Sequence, residues 1–183
     1  MAVINKIITN IQTGQTYKFI QTAKSTNGEL LEIESIFGPQ SKEPPAHYHP
    51  VQTEHFTVLQ GELTVRIGDT LGIFKEGAHI HIAPKQVHAM WNQSGSICVV
   101  NWKTQPALHS EHFFETLVGL ANDHKTNEFG KPGLLQSVLT LKKYCKEFRL
   151  AKPPLLVQNI FFKCCAPIAY LLGYKPVYGK YLD

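Results

Sequence analysis

Apolar and polar residues alternate with a period of two through most of the first hundred positions. Eight segments read as strands: 15–22, 30–37, 54–60, 62–67, 71–74, 78–83, 88–93 and 97–103. Each is short, rich in β-branched or aromatic residues, and bounded by Gly, Pro, Asn or Asp, as at Asn27-Gly28, Gly61, Gly68-Asp69, Gly77 and Ser94-Gly95. Strands this short and this closely spaced predict a sandwich or barrel, because a parallel sheet needs a long crossover between strands. After Pro106 the period lengthens. Ser110 is placed to cap a helix that runs to about Ala121. A second helix is expected from Pro132 to about Phe148, with Leu134, Val138, Leu141, Cys145 and Phe148 on one stripe. A third apolar segment follows Pro153-Pro154 and ends near Gly173. The chain thus divides into a β-rich part, residues 1–105, and a helical extension, residues 106–183.

Charge sharpens this division. Residues 1–124 carry 8 basic and 11 acidic side chains, whereas residues 125–183 carry 10 basic and 3 acidic. The formal net charge of the 183 residues is only +4, and two of the eighteen basic residues are Arg (Arg66 and Arg149). That is a poor outfit for nucleic acid, since Arg is the residue suited to bidentate contacts with phosphates and bases. No helix-turn-helix pattern flanks the β-rich part. The four cysteines, Cys98, Cys145, Cys164 and Cys165, have no metal-binding spacing, and the opening Met-Ala-Val-Ile-Asn-Lys lacks the layout of a signal peptide. A reducing cytoplasm is the expected setting.

The segment with chemistry is His47-Tyr48-His49, followed by Glu54 and Gly61. Residues i and i+2 of a strand share a face, so His47 and His49 point the same way. With the carboxylate of Glu54 they make three metal ligands, and the stiff Glu43-Pro44-Pro45 leads into them. Further on, Gly77 precedes a strand, a turn at Ala83-Pro84-Lys85, then His88 and Asn92. A neighbouring strand carrying His88 can bring a fourth ligand to the same point. Four such side chains buried without partners would be costly, which favours a ligand role. Three imidazoles and one carboxylate suit one divalent ion (iron, manganese, nickel, copper or zinc) without choosing among them.

These two blocks resemble the two motifs of the cupin superfamily. His47, His49, Glu54 and Gly61 match every spacing of the first motif, and Gly77, His88 and Asn92 fit the second, with Ala83 and Lys85 standing where the family has Pro and Gly. The resemblance covers about residues 30–103. It implies a mainly β, double-stranded β-helix (jelly-roll) barrel, here followed by C-terminal α-helices. It also implies a range of activities: dioxygenases, isomerases, decarboxylases, epimerases, sensors and storage proteins. The leading expectation is a metal-dependent oxygenase of the quercetin-dioxygenase-like type acting on a small organic molecule, with Glu54 able to serve as base. A cupin isomerase, or a non-enzymatic module that binds or senses a small ligand, is the alternative. Cupins of this size are commonly dimers, so a homodimer is expected. Phe56 and Val58 share parity with Glu54 and, with Met90 and Trp91, are the expected walls of the pocket. His55, His79 and His81 have the opposite parity and should face away from it.

The segment 155–172 is apolar, but Gln158, Asn159, Lys163 and Pro167 interrupt it, and a membrane span needs about 20 apolar residues. The favoured expectation is that the tail covers an open sheet edge or a dimer partner. Contact with a membrane surface is the less favoured one.

Overall fold

A computed structural model describes residues 2–182. Eleven strands form two antiparallel sheets. They are β1 (Ile7–Thr9), β2 (Thr16–Gln21), β3 (Leu31–Phe37), β4 (His47–Tyr48), β5 (Thr53–Gln60), β6 (Glu62–Ile67), β7 (Thr70–Lys75), β8 (His79–Ile82), β9 (His88–Trp91), β10 (Cys98–Gln105) and β11 (Arg149–Leu150). One sheet has the order β1-β2-β3-β10-β5-β8 and the other β11-β4-β9-β6-β7. From β3 onward consecutive strands cross from one sheet to the other, except for the β6–β7 hairpin, as expected for a jelly roll. All eight expected strands are present, with ends shifted by a residue or two. The two-residue strands β4 and β11 are too short to show a period.

The core lies between the sheets. Alternation on β8 buries Ile80 and Ile82 and leaves His79 and His81 exposed, and His55 on the facing β5 is exposed too. Phe19, Phe56, Leu63, Val65 and Val100 are almost wholly buried in the same cluster. Burying a side chain of this size contributes about 1.5–3 kcal/mol. Gly61 turns β5 into β6 at φ +78°, and a Cβ there would stand 2.4 Å from the carbonyl oxygen of Ile97. Only glycine fits that crossing. Lys85 sits at φ +66°, in the position where the motif has glycine, and its N–H donates to the His49 carbonyl. The turn therefore keeps its left-handed residue without the glycine, at some cost in backbone strain.

The helical extension contains α1 (Ser110–Asn122), α2 (Leu134–Lys143) and α3 (Leu155–Leu171). Three expectations are corrected. His109, not Ser110, occupies the N-cap of α1, because the Ser110 hydroxyl is engaged by the amide of Gln52 at 2.8 Å. The second helix stops at Lys143 rather than Phe148. Tyr144 is buried at the C-cap, its hydroxyl 3.3 Å from that of Thr116, and the chain then turns back toward the barrel. Leu134, expected in the buried stripe of that helix, is exposed, while Val138 and Leu139 are buried against α3. Helix α3 runs through Pro167. Pro167 and Lys163, the residue whose carbonyl loses its helical donor, both lie on the exposed side, where water can solvate that carbonyl.

Candidate metal centre

His47 on β4 is in register with His88 on β9, and His49 follows β4 by one residue. Their rings gather at one end of the barrel: the centroids are 4.4 Å apart for His47 and His88, and 5.2 Å for His49 with either neighbour. One ligand atom from each of the three lies within 4.8 Å of the others. Glu54 on β5 completes the group from the opposite sheet. Its Oε2 is 3.1 Å from both His49 Nε2 and His88 Nε2.

Each imidazole is held from behind. His47 Nδ1 faces the Pro45 carbonyl at 3.2 Å, His88 Nδ1 faces the Gln86 carbonyl at 2.9 Å, and His49 Nδ1 faces the Glu147 carbonyl. A carbonyl only accepts, so Nδ1 carries the proton and Nε2 keeps its lone pair. Outer hydrogen bonds of this kind orient histidine ligands in metal sites. Trp102 on β10 donates its indole N–H to Glu54 Oε1 at 2.9 Å. His49 Nε2, His88 Nε2 and Glu54 Oε2 are buried and make no hydrogen bond. Unpaired buried atoms of this polarity are expensive, and a cation among them would satisfy all three. The donor set therefore fits a divalent transition metal.

Burial, with the neighbouring His88 and His49, pushes the His47 imidazole down to about 3, so it is neutral at ordinary pH. Burial alone would raise the Glu54 pKa, but the adjacent imidazoles of His49, and then His88, outweigh it and hold the group as a carboxylate. Burial is the largest single effect on His49 and lowers its pKa, but Glu54 and the Glu147 carbonyl together outweigh it and raise it.

A cavity of about 1300 Å³ opens from His47, His49 and Glu54 into the space between the barrel and the helices. Met90 and Trp91 line it, as do Trp102, Phe113, Phe161 and Phe162. Phe56 and Val58 do not. They point inside the barrel as their parity requires, but each is only 1% exposed and is consumed by the core, where the Phe56 ring packs on Trp102 at 5.1 Å. Asn92 is a structural member of its motif, donating its amide to the carbonyls of Gly38 and Ser96 at 3.0 and 2.7 Å.

The extension contributes to the centre directly. Strand β11 adds to the edge of β4, pairing Arg149 with Tyr48 and Leu150 with His47. Phe148 stacks on His47 with centroids 4.5 Å apart and planes at 20°. Glu147 and Trp102 carry no spacing signal in the sequence, and the spacing of Phe148 pointed to the second helix instead. Trp102 alone had a clue, since its parity with Val100 and Thr104 on an inward face demands a partner for its N–H.

The comparisons with known proteins bear on the β-rich part of the chain. Residues 34–102 match the model of the cupin domain family, and this stretch of the barrel is cupin-like. The β-rich part is also similar in sequence to an oxidoreductase of Arthrobotrys oligospora, 31% identical over 90 residues that make up 45% of this chain and 36% of that protein. The chain thus spans about a third of the length of the curated relative it matches. Among solved structures, a protein described as a predicted oxalate decarboxylase from Thermotoga maritima is similar at a TM-score of 0.50 and 15% identity, over 58% of this chain and 99% of that one. The KdgF protein of a Halomonas species is similar at a TM-score of 0.48 and 13% identity, over 57% and 89%. At these identities the likeness of the barrel to solved structures concerns the fold alone.

Proposed function

We propose that the cupin-like barrel holds one divalent metal ion on His47, His49, His88 and Glu54, and that the protein is an oxygenase acting on an apolar small molecule. The observation that carries this reading is the convergence of two bare Nε2 atoms and one carboxylate oxygen in a buried site, with a third imidazole beside them. The similarity to an oxidoreductase supports the reaction class. When bound, such an ion supplies Lewis acidity toward a substrate hydroxyl or enol and a redox-active contact for dioxygen.

The protein's own groups have separable tasks. The three imidazoles present Nε2 to the ion because their Nδ1 protons are tied to carbonyls. Glu54 has two alternative tasks through Oε2, to hold the ion or, released from it, to accept the proton that a phenolic or enolic substrate gives up, and Trp102 keeps Oε1 engaged in both. Trp91, Phe113 and Phe161 supply the aromatic lining against which an apolar body is held. The cavity exceeds the roughly 300–1,000 Å³ usual for small-ligand sites, which favours a substrate larger than a single ring. The same volume is what favours the second reading, a module that binds such a molecule without turning it over.

The test is metal content by mass spectrometry on untagged protein, followed by oxygen uptake over a set of phenolic and enolic compounds. Near-stoichiometric iron, manganese, nickel or copper is expected, lost in His88→Ala while circular dichroism is unchanged, with oxygen consumed by the wild type only. Metal without oxygen uptake would move the protein to the binding reading. Zinc alone would keep the metal centre and overturn the oxygenase reading, and failure to retain zinc or any of these ions after reconstitution would overturn the metal centre itself.

A further inference from the structure

Helix α3 turns one face to its neighbour α2 and leaves the rest without a partner. Gln158, Ala166 and Ala169 are buried, and Phe162 and Cys165 are partly buried beside them. Leu156, Ile160, Cys164, Pro167 and Leu171 follow one another at steps of three or four, which is a single stripe on the opposite side. Leu156 is 71% exposed, Ile160 55% and Leu171 87%. Val157, Ile168 and Leu172 widen the stripe and are at least half exposed as well. Surfaces of this kind mark contact with a partner or a membrane.

The charge around the stripe selects between these. Residues 148–182 contain no Asp or Glu and five basic residues, Arg149, Lys152, Lys163, Lys175 and Lys180. Lys152 lies ahead of the helix, Lys175 lies beyond it, and Lys163 flanks the stripe. Among the described residues none of these three is in an ion pair. A second copy apposed on this face would set like charges against each other at both ends. An anionic lipid surface meets them with the opposite sign and takes the apolar side chains between its headgroups. Among the described residues no helix is long and apolar enough to cross a membrane. The 17 residues of α3 suit a helix lying flat in the interface.

We propose that α3 is a docking surface for an anionic lipid membrane, seated through Leu156, Ile160 and Leu171 and held by Lys152, Lys163 and Lys175. Val157 and Phe161 belong both to the exposed side of the helix and to the lining of the cavity. Docking therefore sets one wall of the cavity against the lipid, where apolar molecules partition.

Co-sedimentation of the full chain with vesicles tests this. Binding is expected to phosphatidylcholine vesicles containing about a quarter phosphatidylglycerol, much reduced for phosphatidylcholine alone and reduced by high salt. Lys163→Gln should weaken the partition to anionic vesicles about fivefold, since one basic side chain near such a surface contributes about that factor. Leu156→Ser, Ile160→Ser and Leu171→Ser combined should abolish it while leaving the thermal midpoint unchanged, because these side chains are mostly exposed. Equal sedimentation with neutral and anionic vesicles, no sedimentation with either, or binding that survives the triple variant would overturn the proposal. A dimer seen by light scattering and lost in the triple variant, without vesicle binding, would assign the face to a second copy.

Discussion

Trp102 donates its indole N–H to Glu54 Oε1, and Glu54 Oε2 is left facing two imidazoles. The indole thus acts as a positioning group for the carboxylate. Trp102→Phe keeps most of the ring packing on Phe56 and Phe114 but removes the donor. Metal affinity should fall about 10–100-fold, the usual cost of losing an outer hydrogen bond to a ligand, as read by competition with a metallochromic chelator. Unchanged affinity would mean that the indole serves packing alone. Asp123, far from the centre, shows residue-scale electrostatics of another kind. Hydrogen bonds from Lys180 and then Tyr181 lower its pKa from the ordinary 3.8 to about 2. A carboxylate depressed in the folded state stabilises above its unfolded pKa and ceases to do so as the pH falls through the folded one. Asp123→Asn should therefore lower the melting temperature at neutral pH, and its difference from wild type should close between about pH 4 and pH 2. A difference that persists at pH 2 would show that the charge is not its origin.

Among the elements, the short strand β11 does most to change what the barrel is. Its pairing with β4, the Glu147 carbonyl behind His49 and the Phe148 ring on His47 make the extension a wall of the candidate metal centre. An extension lying only on the barrel's outer face would leave the histidines indifferent to it. Phe148→Ala removes the stacked ring, which also packs on Phe113 at 5.2 Å. A looser His47 should lower metal affinity by about tenfold or more, within the range seen for supporting groups around metal ligands. Isothermal titration with the metal alone reads this, and equal affinities would confine the extension to covering the sheet edge. Covering that edge is itself useful, because an unpaired strand end is a template for aggregation.

The whole molecule couples fold and centre, since the ligands come from both sheets. His47, His49 and His88 belong to one sheet and its margin, Glu54 to the other, and a bound ion would tie the two together. A ligand that binds only the folded state stabilises it by about 2.7 kcal/mol at a hundredfold excess over Kd. For a chain of this size that corresponds to roughly 5–10 °C, so chelation should lower the melting temperature by about that much in differential scanning fluorimetry. A midpoint indifferent to chelator and to added metal would leave the barrel standing on its apolar core alone.

The sequence by itself determined a sandwich or barrel of short strands, and its resemblance to the cupin motifs supplied the jelly roll and the register of the four candidate ligands. The first rests on local rules: strand alternation fixes which side chains share a face, and short turn signals fix where strands end. The exposure of His55, His79 and His81 was legible for the same reason. What depended on contacts distant in the chain was not. The second helix stops at Lys143 because Tyr144 is drawn into a buried site beside Thr116, a pull that no helical period records. Phe56 and Val58 have the right parity for a cavity wall, yet whether an inward residue meets core or open space depends on what lies across from it. The roles of Glu147 and Phe148 exist only because a two-residue strand returns to β4 from about a hundred positions away. Periodicity reports a residue's face. Only the folded chain decides what that face meets, because burial is a property of pairs of surfaces rather than of positions.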